Sequence, residues 1–353
     1  MAQKANDRWP AIFWGLSLLA VLLLTMVAGC RDFSVGTDIH VYGLDTFNTA
    51  KSSLDDFWGG FQRTRREFLF YAINYVAACF SDSLNASLFL QSLIIHLFAL
   101  SGMKRYMGIA PLWCSMLMFE LYFYAIMLNM MAQGIACVIL FWPLKFLEER
   151  KLKQLMLCMV VCFFFHKTSL FAYCALLFFY WVLGKDVKRQ SKYLLILVIG
   201  CATTVALFAV LMKLLTNIPA FAIYQAYASG FFSGLSPLDV GLRFFFLGIL
   251  LALHYKCSLR TDLFNYTMLF LIVDICAQFL GLYVFFTTRF GLYFFLCEIP
   301  LFLASIKSSQ ATIATKYVLN TTTIILFICY CVKCYYINNW HDTYPYKSEI
   351  LDI

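Results

Sequence analysis

The 353-residue chain is 62% hydrophobic and only 13% charged, with 14 cysteines and a formal net charge of +8, and its mean hydropathy is +0.78. Soluble domains carry about 25% charged residues, so a soluble globular domain is excluded and an all-α, polytopic membrane bundle is expected. The positive charge is no nucleic-acid signal, because the basic residues fall in short connections between apolar runs, as membrane topology demands.

A crossing helix needs about 20 mostly apolar residues. The first such run, 9–28, follows Lys4 and Arg8. It is long for a signal-peptide core and no small-x-small site follows it, so it reads as an uncleaved signal-anchor. A polar stretch, 29–66, comes next. The apolar run 68–80 then breaks at Ser81-Asp82-Ser83, too early for a crossing, which suits an interfacial or re-entrant helix. Further spans are expected at 86–103, 108–126, 130–146, 155–165, 169–183, 193–215, 240–255, 264–285, 290–306 and 317–335, for about eleven crossings in all. A second polar loop is expected at 216–239 and a polar tail at 338–353. One membrane domain accounts for the whole chain.

Charge orients this scheme. With the N-terminus cytoplasmic, the basic groups Lys145, Arg150, Lys151, Lys153 and Lys185, Lys188, Arg189, Lys192 all fall on the cytoplasmic side, as the positive-inside rule requires. A crossing at 68–80 would turn them outward. The tail is then extracytoplasmic. Loop 29–66, the tip at Asn129, the His166-Lys167-Thr168-Ser169 turn, the Arg289 turn and the tail share that outer side. Such one-sided sorting of polar residues fits an enzyme with an extracytoplasmic site. A channel would spread polar groups through its spans.

The densest polar cluster is Arg-Asp-Phe-Ser-Val-Gly-Thr-Asp-Ile-His-Val-Tyr, residues 31–42. A cation and a carboxylate at a membrane surface suit a lipid-linked phosphate, and a solvated loop behind an N-terminal anchor has the same composition. Asp38 is either a base or a salt-bridge partner that shapes the loop with Arg31. His166 is either a titrating group near neutral pH or a helix-capping histidine. Arg63, Arg65 and Arg66 are either a headgroup anchor for the short helix or a docking patch. Within the spans lie Glu120, Asp274, Glu298, Gln91, His96 and Gln278. Ionisable groups at that depth face a partner or a cavity, and an acidic series keeps a transporter open. The cysteines sit in apolar runs as small hydrophobes. Cys158 and Cys162 share a helix face without a histidine or carboxylate pattern beside them, so no metal site is expected. No dinucleotide fingerprint, phosphate loop, nucleophile elbow or zincin motif is present. An enzyme built this way needs a preactivated donor delivered by the membrane.

Five blocks stand out along the chain: Arg31, Gly36-Thr37-Asp38 and Tyr42 after the first span; Asn129, Gln133 and Ala136; Glu148-Glu149-Arg150-Lys151 followed by Phe165-His166-Lys167-Thr168-Ser169; Arg289 and Tyr293; and Tyr344-Pro345-Tyr346. Taken together, these blocks resemble the EpsG-like and Wzy-type polysaccharide polymerases. The blocks run in family order over most of the chain. One departs: the arginine of the family's Asn-x-x-Arg-Gln block is Ala132 here, so a phosphate role at that position does not carry over. The resemblance implies a GT-C-like bundle in a bacterial inner membrane that transfers a growing glycan from undecaprenyl pyrophosphate to a second lipid-linked repeat unit on the periplasmic face. It implies Arg31 and Arg289 on the pyrophosphate, and Asp38 or His166 at the acceptor hydroxyl. Tyr42, Asn129, Gln133, Lys167 and Tyr293, with the arginines of 63–66, would hold substrate. It implies no cofactor and no metal, membrane lipids as surroundings, and a chain-length regulator protein as a partner. A flippase and an O-antigen ligase-like transferase are the competing functions.

Overall fold

A computed structural model describes residues 10–64, 66–104, 111–215, 237–283 and 287–352. Arg65 and loop residues 216–236 lie outside the described residues. The described chain is helical, with no strand. Nine of its helical segments are long and apolar enough to cross a membrane, one of them, Met131–Glu148, made of two shorter helices in succession. In lipid a backbone must satisfy its own N–H and C=O groups, and a helix does so within one segment.

The helices in chain order are α1 (Pro10–Gly29), α2 (Leu44–Lys51), α3 (Phe57–Thr64), α4 (Phe68–Phe80), α5 (Leu84–Lys104), α6 (Leu112–Asn129), α7 (Met131–Ile139), α8 (Phe141–Glu148) and α9 (Leu152–Phe165). They continue with α10 (Ser169–Leu183), α11 (Val187–Leu215), α12 (Pro237–Lys256), α13 (Thr261–Leu280), α14 (Thr288–Ser308) and α15 (Ile313–Cys331). The short run at 68–80 is a separate 13-residue helix, as expected. Two of the expected crossings, α9 and α10, have 14 and 15 residues and fall below the length of the other nine. The stretch after the first span differs from a plain loop: it carries a π-helical turn at Ile39–Gly43 and then α2 and α3.

The chain forms two compact units. The first comprises residues 1–143, 154–169 and 323–353. Here α1 packs along α5, and α4 packs on both α2 and α5. Its buried cluster joins Ile39, Phe47, Phe70, Ala77, Leu88, Met131 and Ala132. That cluster fastens the polar segment after α1 to the start of α7.

The second unit comprises residues 144–153 and 170–322. Its centre is α14, paired with α13, with α12 against both. Of the most apolar stretch of α14, 89% is buried, against 11% in α11. Helix α14 is therefore core, and the apolar stretch of α11 is mostly exposed, although both helices are long and apolar enough to cross a membrane.

Candidate functional site

In the first unit the chain breaks between α6 and α7. Met130 ends one helix and starts the other with φ −86° and ψ 64°. The break leaves the last carbonyls of α6 without helical partners. Arg31 takes one of them: its Nη2 donates to Leu128 O at 2.8 Å. Its Nη1 donates to Ala28 O, in the last turn of α1, at 2.7 Å. One guanidinium thus caps two helix C-termini, where a cation is favoured by the aligned peptide dipoles. Arg31 is only 2% exposed. Burial pushes its guanidinium down to about 10, and it remains charged at neutral pH. The Arg31–Asp38 salt bridge considered from sequence does not form.

Asn129, the last residue of α6, is the hub of the cluster. Its Oδ1 accepts from Thr37 Oγ1 at 2.8 Å and from the Asp38 backbone N–H at 2.7 Å. Its Nδ2 lies 3.0 Å from His341 Nδ1. Gly36 makes the approach possible. It sits at φ +98°, and a Cβ there would stand 3.0 Å from Leu128 O, so this turn needs glycine.

The tail closes the cluster from the other side. Gly36 N–H donates to Asp342 O at 2.9 Å and Asp32 N–H to Lys347 O at 2.9 Å. Tyr346 OH donates to Val27 O at 2.6 Å, and Ser348 Oγ donates to Cys30 O. Asn85 Nδ2, from α5, donates to Gly29 O and Arg31 O. Three stretches far apart in sequence, 27–38, 128–129 and 341–348, therefore form one polar layer. The exposed side of that layer carries Thr37. Asp32 lies nearby, its carboxylate accepting the Ser34 N–H at 2.7 Å, which holds it below the usual carboxylate range.

Two further groups of expected residues meet in the same unit. The Arg66 guanidinium lies 4.7 Å over the Tyr42 ring, a cation–π distance, and that ring meets Phe70 edge-on. His166 Nδ1 lies 3.7 Å from Glu67 Oε1, while Phe164 touches Phe68 beside them. Arg63 turns away, donating to Ser53 Oγ. Lys167 is exposed and Gln133 is buried. Arg289 and Tyr293 open α14 in the second unit, Arg289 half-buried and Tyr293 buried.

The second unit holds a buried charge layer. Arg243 Nε donates to Asp274 Oδ2 at 2.8 Å, and its Nη1 donates to Asp239 Oδ1 at 2.8 Å. Its Cζ stands 4.0 Å over the Phe295 ring. Gly291, Phe295 and Glu298 share one face of α14 by their spacing. Gly291 lets Asp274 and Gln278 approach that face. Glu298 is fully buried and neither carboxyl oxygen has a hydrogen-bond partner among the described residues. Charge in membrane-spanning helices is costly and finds a partner there, which is what Arg243 and Asp274 do.

Sequence reasoning put Arg31, Asp38 and Asn129 on one side, and they meet. It placed His341 in the outward polar set without a specific role, and gave none to Asn85, Glu67 or Arg243. Arg243 had a readable signal, an arginine inside an expected span four residues after Asp239. Among the described residues, no group of histidine, cysteine and carboxylate side chains has the arrangement to hold a metal ion. No curated protein and no solved structure matches the chain. The model of the EpsG family matches residues 14–348, nearly the whole length and every cluster above, and the chain belongs to that family.

Proposed function

We propose that this protein is a membrane glycosyltransferase of the polysaccharide-polymerase type. It joins oligosaccharide repeat units carried on undecaprenyl pyrophosphate, on the periplasmic face of the bacterial inner membrane. The EpsG family is linked to polymerase-like proteins of polysaccharide synthesis, and the match spans residues 14–348. The observation that carries the reading is the polar layer around Asn129: Gly36-Thr37-Asp38 and the tail converge there at one end of apolar helices. That is the placement a site needs when its substrate has a lipid tail and a polar head.

In this reading Asp38 or His166 handles the acceptor hydroxyl proton. Arg66 offers a guanidinium group to pyrophosphate, and Arg289 is a separate phosphate candidate carried by the second unit. Arg31 shapes the site through its two carbonyl caps. Tyr42, Gln133 and Lys167 contribute to sugar and headgroup binding in the first unit, Tyr293 is a separate candidate in the second, and a chain-length regulator is the partner expected in the membrane. The N-terminus lies in the cytoplasm and the tail in the periplasm, which keeps the Lys145–Lys153 and Lys185–Lys192 groups inside.

The test is glycan length in a strain lacking the gene, complemented with wild type, Asn129→Ala or Arg289→Ala at matched membrane levels. The null strain carries single repeat units, wild type restores a ladder, and the variants do not. Accumulation of lipid-linked units on the cytoplasmic side in the null strain would replace this reading with transport. The buried Glu298 carboxyl, in a layer with Arg243 and Asp274, is the observation that favours that second reading.

A further inference from the structure

Two hydrogen bonds fix the direction of the Asn129 carboxamide. A backbone N–H only donates, so the Asp38 N–H at 2.7 Å identifies its partner as the amide oxygen. Thr37 Oγ1 adds a second bond to the same oxygen at 2.8 Å. The amide nitrogen is then the atom 3.0 Å from His341 Nδ1. An amide nitrogen has donors and no acceptor. His341 Nδ1 must therefore accept, and the neutral ring carries its proton on Nε2.

The backbone around His341 is shaped for this arrangement. His341 has φ 71°, and its neighbours Asn339 and Asp342 have φ 46° and 51°. Non-glycine residues in the left-handed region are strained and persist where surrounding bonds determine them. Here Asp342 O holds the Gly36 N–H and Asn339 Oδ1 holds the Tyr344 N–H. The strained turn sets the imidazole beside the Gly36-Thr37-Asp38 segment.

We infer that His341 is a catalytic residue of the transferase site, with Asn129 as the positioning residue that makes it an Nε2–H donor to a phosphate oxygen of the lipid-linked donor. The inference rests on the transferase reading above. In the transfer the bond from the sugar's anomeric carbon to the pyrophosphate oxygen breaks. Its electron pair leaves on that oxygen as the acceptor oxygen bonds to the carbon. The acceptor's proton goes to a carboxylate, for which Asp38 is the candidate. A fixed N–H aimed at the departing oxygen stabilises the charge that grows there. The same tautomer bars Nδ1 from taking the acceptor's proton, because that lone pair is held by Asn129.

Three variants separate this role from simple tail packing. Asn129→Asp keeps an acceptor for Thr37 and Asp38 and replaces the amide donor with a second acceptor, which puts a proton on Nδ1 and, above the pH at which the ring becomes neutral, leaves Nε2 without one. His341→Gln carries an amide N–H out to the Nε2 position. His341→Asn reaches only the Nδ1 position. With purified full-length protein in proteoliposomes and a lipid-linked repeat unit as substrate, Asn129→Asp and His341→Asn slow ladder formation about a hundredfold. His341→Gln stays within about tenfold of wild type on the same scale. Nitrogen-15 NMR of histidine-labelled wild type shows His341 protonated at Nε2, its signal assigned by its loss in His341→Gln. That readout needs no substrate. A wild-type ring protonated at Nδ1 overturns the inference, as does a His341→Asn variant as active as His341→Gln. Wild-type protein that extends no glycan sinks the transferase reading and the catalytic role with it, while the NMR result still reports the tautomer.

Discussion

Arg243 and Asp274 meet between the membrane-spanning helices α12 and α13, Nε to Oδ2 at 2.8 Å, with side chains 1% and 0% exposed. Removing one partner strands the other charge in an apolar interior, at a cost of about 3–5 kcal/mol. Replacing both with apolar residues of similar size avoids most of that cost, leaving only Asp239, at the partly exposed start of α12, without its arginine. Arg243→Ala and Asp274→Leu should each lower the melting temperature of the detergent-solubilised protein sharply. The double variant Arg243→Met/Asp274→Leu should recover most of the loss. Equal melting of single and double variants would show that the pair is not the source of stability.

Arg31 bridges Ala28 O and Leu128 O, the ends of α1 and α6. A lysine ammonium lacks the planar fork that reaches both carbonyls. Arg31→Lys should cost about 1.5–3 kcal/mol, the scale of one hydrogen bond from a charged donor, since an ammonium reaches only one of the two carbonyls. Thermal unfolding checks this directly. A glycan defect in Arg31→Ala must be compared with the same variant's melting curve, since loss of fold and loss of chemistry produce the same short product.

Gly36→Ala places a side chain in the left-handed region, worth about 1–2 kcal/mol, and sets its Cβ against Leu128 O. Because Arg31 bonds that same carbonyl, Gly36→Ala and Arg31→Lys should be non-additive in a double-mutant cycle. Additive losses would mean that the two residues act on separate features.

Asp32 titrates with a definite sign. Its carboxylate is held below the usual range by the Ser34 N–H. A depressed folded value contributes stability above the unfolded value, lost as pH falls through the folded one. The 32–35 turn should therefore be intact at neutral pH and loosen only in strong acid, below the ordinary aspartate range near 3.8. Hydrogen exchange at the Ser34 amide measures it, and Asp32→Asn should remove that acid dependence.

Much of the fold is readable in the sequence because lipid imposes one simple demand, a long apolar run for each crossing. Even the short α4 is marked by its Ser81-Asp82-Ser83 end. Helices α2 and α3 are harder to see. Leu44–Lys51 is built on Asp, Thr and Asn, which favour turns as strongly as helix, and its helix depends on Thr46, Phe47 and Ala50 packing inward. The Asn129–His341 bond joins residues 212 apart, and no local pattern encodes such a distance. The block Asn129…Gln133 was visible, yet the partner that gives Asn129 its direction was not.

The 341–348 segment makes the end of the first helix depend on residues made more than three hundred positions later. Tyr346 reaches Val27 across 319 positions of chain, so the end of α1 waits until that segment has been made before its carbonyls are covered. Until then the Gly36 turn and the Asn129 hub are open, and no half-made copy holds an assembled site. A stop codon placed before Asp342 should thus leave a protein that inserts in the membrane and still lacks a closed site.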